Sequence, residues 1–123
     1  MTNLLGRRIL IVEDEIMIAL LLQDILQEFG YVVAGIATRS EEALRLIEAS
    51  AGTLDAATLD VNLGGITSHD IAAMLDARGI PFIITTGYAD APHLVGFGDR
   101  PTVHKPYDTH DVGRALGLLR WPE

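Results

Sequence analysis

Short apolar runs alternate along this chain with segments whose apolar residues recur at helical spacing. That alternation restricts it to a layered α/β fold. Residues 9–12 are apolar without interruption, as a strand buried on both faces requires. Ile18, Leu21, Leu22, Ile25 and Phe29 then mark a helix, and Gly30 stands where its C-terminal cap belongs. Residues 31–36 are rich in β-branched side chains and read as a second strand. Ser40 with Glu41 and Glu42 opens a second helix, with Ala43, Leu44 and Ile47 on its apolar face.

The third strand is expected over 54–59, ending at Asp60, and the helix after Gly64 and Gly65 turns Ile71, Met74 and Leu75 inward and stops at Gly79. Residues 80–86 form the fourth strand, with Pro81 tolerated near its start. Pro92, Gly96 and Gly98 leave residues 90–99 room for one short helix at best. Residues 101–104 make a fifth strand. Val112, Ala115, Leu116 and Leu119 mark a last helix ending near Trp121 and Pro122. Five strands alternating with about five helices imply a mostly parallel sheet covered on both faces. A single domain over residues 1–123, with no effector domain, is expected.

Composition narrows the function. Nine basic and 17 acidic residues give a net charge of −8, which disfavours nonspecific binding to nucleic acid or to an anionic membrane. There is no cysteine, so disulfides and thiolate metal sites are excluded. No apolar stretch approaches the roughly 20 residues of a membrane span, and a cytoplasmic protein is expected.

In an open α/β sheet, ligands bind beyond the carboxyl ends of the strands. Glu13 and Asp14 follow the first strand there, and Asp60 and Asn62 the third. Thr85, Thr86 and Gly87 close the fourth, and His104 and Lys105 the fifth. Three carboxylates, a hydroxyl and a lysine thus converge on one rim. Clustered carboxylates repel unless a cation intervenes, and an oxygen-rich site of this kind suits Mg²⁺ (or Mn²⁺) beside a phosphate. Phosphoryl transfer is mainly positioning and charge neutralisation, and a carboxylate can itself be the nucleophile. Asp60 is read as the phosphoacceptor. Asp14, Asp60 and the main-chain carbonyl of Asn62 are the expected metal ligands, with Glu13 acting directly or through water. Lys105 and the Thr86 hydroxyl are expected to contact phosphoryl oxygens.

The segments Ile11-Val12-Glu13-Asp14-Glu15, Leu59-Asp60-Val61-Asn62, Thr86-Gly87 and Lys105-Pro106, in this order, resemble the motif set of the response-regulator receiver family. The resemblance implies a flavodoxin-like fold of strand order 2-1-3-4-5. It also implies phosphotransfer from a sensor histidine kinase or a histidine phosphotransfer protein, Mg²⁺ dependence, slow self-catalysed dephosphorylation and a cis Lys105–Pro106 bond. Output would then pass through a downstream protein partner, or the domain would act as a phosphate sink. It would be no enzyme beyond its own phosphorylation and dephosphorylation.

The chain departs from the family pattern at Thr102, where an aromatic switch residue is usual. Residues 82–88, Phe-Ile-Ile-Thr-Thr-Gly-Tyr, are similar to the Phe-Ala-Thr-Gly-X-Tyr motif of a receiver subfamily, often single-domain, that lacks that aromatic. Tyr88 is the substitute switch candidate. Asn62-Leu63-Gly64-Gly65-Ile66 lacks the proline common after the phosphoacceptor.

Two other readings stay open. A degenerate receiver would serve as a binding module without phosphorylation. A small Mg²⁺-dependent phosphohydrolase would need a general acid two residues after Asp60, where Asn62 stands. Glu15 is read as support for the helix dipole and Tyr107 as packing. His69, His93, His104 and His110 show no metal-ligand spacing.

Overall fold

A computed structural model describes residues 5–50, 52–61, 68–87, 97 and 99–121. The described elements are β1 (Arg8–Val12), α1 (Ile16–Glu28), β2 (Val32–Ala37), α2 (Ser40–Ala49), β3 (Ala56–Asp60), α3 (Ser68–Ala77), β4 (Phe82–Thr86), β5 (Thr102–His104) and α4 (Thr109–Gly117). All strand pairs are parallel, in the order β2-β1-β3-β4-β5. This is the flavodoxin-like receiver topology that the resemblance implies. Four helices stand among the described residues. The short helix expected within 90–99 falls almost wholly on residues outside them.

The uninterrupted apolar strands make sense once both faces are seen. Leu10, Val12, Ala57, Leu59, Phe82 and Ile84 point to one side and pack with Ala43 and Ile47 of α2 and Ile71, Ala72 and Leu75 of α3. Ile9, Ile11, Ala56, Ile83 and Val103 point to the other, against Ala19, Leu22 and Leu26 of α1 and Val112, Ala115 and Leu116 of α4. The period of two along each strand thus feeds two separate cores. Between Ile9 and Leu10 the register with β2 slips by one residue.

Gly30 and Gly79 have φ of +92° and +68°, the left-handed conformation expected after a helix. At Gly30 a Cβ would also run into the Leu5 side chain. Ser40 is the first residue of α2 rather than its cap, and Arg39 at the cap position makes no side-chain capping bond. Asp108 does cap α4, its side chain accepting from the His110 N–H. Strands β3 and β4 start two residues later than the apolar runs suggest, because Leu54 and Ile80 are buried before ladder pairing begins. The last helix ends at Gly117, earlier than expected. Trp121 instead stacks on Tyr31 at 5.5 Å and donates its indole N–H to Leu116 O. No helix among the described residues is long and apolar enough to cross a membrane.

Arg100 ties the β5 side of the sheet to α3. Its guanidinium bonds both carboxylate oxygens of Asp76 at 3.2 and 2.7 Å and lies 5.2 and 5.4 Å from the Phe82 and Phe97 ring centroids. Both charged groups are partly exposed, so solvent screening trims the pair, and the cation–π contacts add to it. Arg100→Ala is expected to destabilise by about 1–2 kcal/mol. The check is a melting-temperature drop on the order of 5 °C. Arg100→Lys should recover little of it, because an ammonium cannot reproduce the two-pronged geometry.

Candidate functional site

The carboxyl rim of the sheet assembles the site through pairing at the strand ends. The Glu13 N–H donates to Ala37 O at 2.9 Å, so β1 stays anchored one residue past its end and the Glu13 side chain is held inward. Asp60 is the last residue of β3, in register with Thr85. The Lys105 N–H donates to Thr86 O at 2.8 Å, which fixes where the lysine leaves β5. The Lys105–Pro106 peptide bond is cis.

The three carboxylates of Glu13, Asp14 and Asp60 each offer an oxygen, and these oxygens lie within 4.8 Å of one another. Glu13 and Asp60 are 1% exposed, whereas Asp14 reaches solvent. Lys105 Nζ stands 2.6 Å from Glu13 Oε1 and 3.1 Å from Asp60 Oδ2. One cation therefore bridges two buried anions. Their two negative charges exceed its one, and exposed Asp14 adds a third. Hard oxygen donors with excess negative charge, one of them open to solvent, fit Mg²⁺, which keeps several waters and takes few protein ligands.

Electrostatics follow from this crowding. Burial pushes the Glu13 carboxyl up to about 7, the hydrogen bond from Lys105 opposes that rise, and neighbouring Asp60 reinforces it. Burial alone would lower the Lys105 ammonium, but Glu13 and Asp60 outweigh it and hold the group above its ordinary value. The Tyr107 phenol is pushed up, by burial first and then by the charges of Glu13 and Asp60. A cleft of about 410 Å³ opens over the site, lined by Asp14, Asp60 and Lys105 together with Ile18, Leu21 and Tyr107.

The structure brings together Glu13, Asp14, Asp60 and Lys105. Thr86 is buried at the end of β4, joined to Lys105 through its main chain. Thr85 lies on the opposite face of the strand and is within hydrogen-bonding reach of Tyr107. Asn62 and Tyr88 lie outside the described residues. Thr102, the departure from the family pattern, is exposed.

Three residues make contacts that the sequence does not specify. Lys105, expected to meet a phosphoryl oxygen, here pairs with Glu13 and Asp60. Glu15 sits at the N-cap of α1 and makes no side-chain cap, and its N–H donates to Glu13 Oε2 at 3.2 Å. Tyr107, read as packing, does pack, but its hydroxyl also points at Glu13 Oε1 at 3.4 Å. The only hint of this in the sequence is the choice of a polar-tipped aromatic directly after the Lys-Pro step.

Comparison with known proteins agrees with this geometry. The family model for the response regulator receiver domain matches residues 9–116. Among solved structures, SdrG from Sphingomonas melonis Fr1 is 41% identical, with 94% of this chain and 97% of that chain covered and a TM-score of 0.81. The BeF3-activated conformation of SdrG from Pseudomonas melonis Fr1 is 40% identical over 89% of this chain and 92% of that one, with a TM-score of 0.77. A CheY-like response regulator receiver domain protein from Methanospirillum hungatei JF-1 is 27% identical over 91% of each chain, with a TM-score of 0.75. No curated protein sequence matches. With its sheet order, its acidic rim and a family match over most of its length, the chain belongs to the response regulator receiver family of two-component signalling.

Proposed function

We propose that this receiver accepts a phosphoryl group on Asp60 from a phosphohistidine of a sensor kinase or of a histidine phosphotransfer protein. The observation that carries this reading is the Lys105 ammonium held between Glu13 and Asp60, beside three carboxylates whose oxygens lie within 4.8 Å. An Asp60 carboxylate oxygen attacks phosphorus, an O–P bond forms as the donor's P–N bond breaks, and the electron pair leaves with the imidazole nitrogen. Lys105 moves its donors from the carboxylates to a phosphoryl oxygen, and the Thr86 hydroxyl takes another. A Mg²⁺ ion would be held by Asp14, Asp60 and the main-chain carbonyl of Asn62, with Glu13 acting directly or through water, and would supply charge neutralisation. Water later hydrolyses the acyl phosphate in the same site, so the domain catalyses only its own phosphorylation and dephosphorylation. Its surface passes the signal to a protein partner in the cytoplasm, or the domain drains phosphoryl groups from the kinase.

SdrG, 40% identical, takes a BeF3-activated conformation, which points to the probe. Beryllofluoride with Mg²⁺, followed by amide NMR, is expected to shift Asp60, Thr86, Gly87 and Lys105. Asp14→Ala should need roughly tenfold or more additional Mg²⁺ for the same response. Unmoved signals at all four residues would leave a binding module indifferent to phosphate.

A further inference from the structure

Tyr107 carries chemistry that packing does not require. Its ring lies against the α1–α4 core, where a phenylalanine would fill the same space without desolvating a hydroxyl. The hydroxyl instead enters the acidic site. It donates to Glu13 Oε1 at 3.4 Å, the oxygen that Lys105 Nζ approaches at 2.6 Å. The bond to Glu13 is long, and it falls on the same oxygen that Lys105 approaches.

The two Glu13 oxygens are therefore unequal. Oε1 takes a donor on each lone pair, from Lys105 and Tyr107. Oε2 takes the Glu15 main-chain N–H at 3.2 Å. A carboxylate pinned in this way is held in a fixed direction on the rim it shares with Asp14 and Asp60. Outer partners of this kind set ligand orientation, and their loss typically weakens metal binding about 10–100-fold.

We propose that Tyr107 is a positioning residue: its hydroxyl, with Lys105, clamps Glu13 Oε1 and so holds the Glu13 carboxylate toward a divalent cation bound at Asp14 and Asp60. This rests on the reading of Glu13, Asp14 and Asp60 as a metal site. On the other side the Glu15 N–H holds the far carboxylate oxygen.

The test is Mg²⁺ titration of the full chain without any phosphodonor, read by amide NMR, for wild type, Tyr107→Phe and Tyr107→Leu, with a melting curve for each. Because the bond is long, the expected loss lies at the lower end, about threefold to tenfold in Mg²⁺ affinity. Tyr107→Phe should show it with an unchanged melting temperature. Tyr107→Leu should show the same loss with a lower melting temperature, since only it removes the ring. Tyr107→Phe binding Mg²⁺ within twofold of wild type would overturn the positioning role, even if Tyr107→Leu binds weakly. Wild type showing no Mg²⁺ response would overturn the metal reading itself, and this role with it.

Discussion

Asp60→Asn is expected to fold normally and to take up less than about 1% of the phosphoryl label that wild type accepts from acetyl phosphate or a cognate kinase. Chemistry sets the size of that loss. The carboxylate oxygen of Asp60 is the nucleophile in the proposed transfer, and a carboxamide oxygen carries no full negative charge and yields no stable acyl phosphate. A hundredfold loss corresponds to about 2.7 kcal/mol of transition-state stabilisation, modest for removal of the attacking group. Folding should survive for a separate reason. Asp60 is buried beside Glu13, so the neutral isostere removes like-charge repulsion while its carbonyl still accepts from Lys105. The check pairs a labelling time course with a melting curve. Base-labile label on Asp60→Asn at wild-type level would place the acceptor elsewhere.

The layered fold was legible because every strand is a short apolar run set between helix-period segments, and Gly30 and Gly79 do stand at left-handed helix ends. Strand limits were less legible. Leu54 and Ile80 are apolar because they are buried, but ladder pairing depends on the neighbouring strand and begins only at Ala56 and Phe82. The close of the last helix was missed for a similar reason. Trp121 finds a distant partner in Tyr31, a contact that local periodicity cannot encode.

At the site, strand-end position alone was enough to bring Glu13, Asp14, Asp60 and Lys105 to one rim, since topology fixes where strand ends meet. The partners of Lys105 and the aim of the Tyr107 hydroxyl depend on loop geometry and side-chain rotamers, which spacing does not specify. The same limit separates Thr85 from Thr86. Adjacent strand residues face opposite ways, and only the three-dimensional contacts show which one meets Tyr107.

Lys105→Ala should show the largest stability change, and one whose size depends on pH. The substitution removes the ammonium that faces both Glu13 and Asp60, with the lysine side chain 14% exposed and the carboxylates 1% and 2%. Breaking a buried pair leaves uncompensated charge, and with some solvent access the cost is about 2–4 kcal/mol. At pH 8 this corresponds to a melting temperature lower by on the order of 10 °C. The sign with pH comes from Glu13. Its folded value of about 7 lies above its ordinary 4.5, because burial outweighs the opposing Lys105 bond. Between those values the folded state holds more protons than the unfolded state, so stability falls as pH rises. Without Lys105 the folded value climbs further, and Glu13 avoids its unpaired charge by keeping its proton at low pH. The deficit of the variant should therefore be large at pH 8 and small at pH 5.5. Mg²⁺ should restore much of it by replacing the lost positive charge. Equal melting temperatures for the two proteins at pH 8, or a deficit that widens toward pH 5.5, would mean that Lys105 does not compensate these carboxylates. The proposed exchange of its donors from carboxylate to phosphoryl oxygen would then have no starting point.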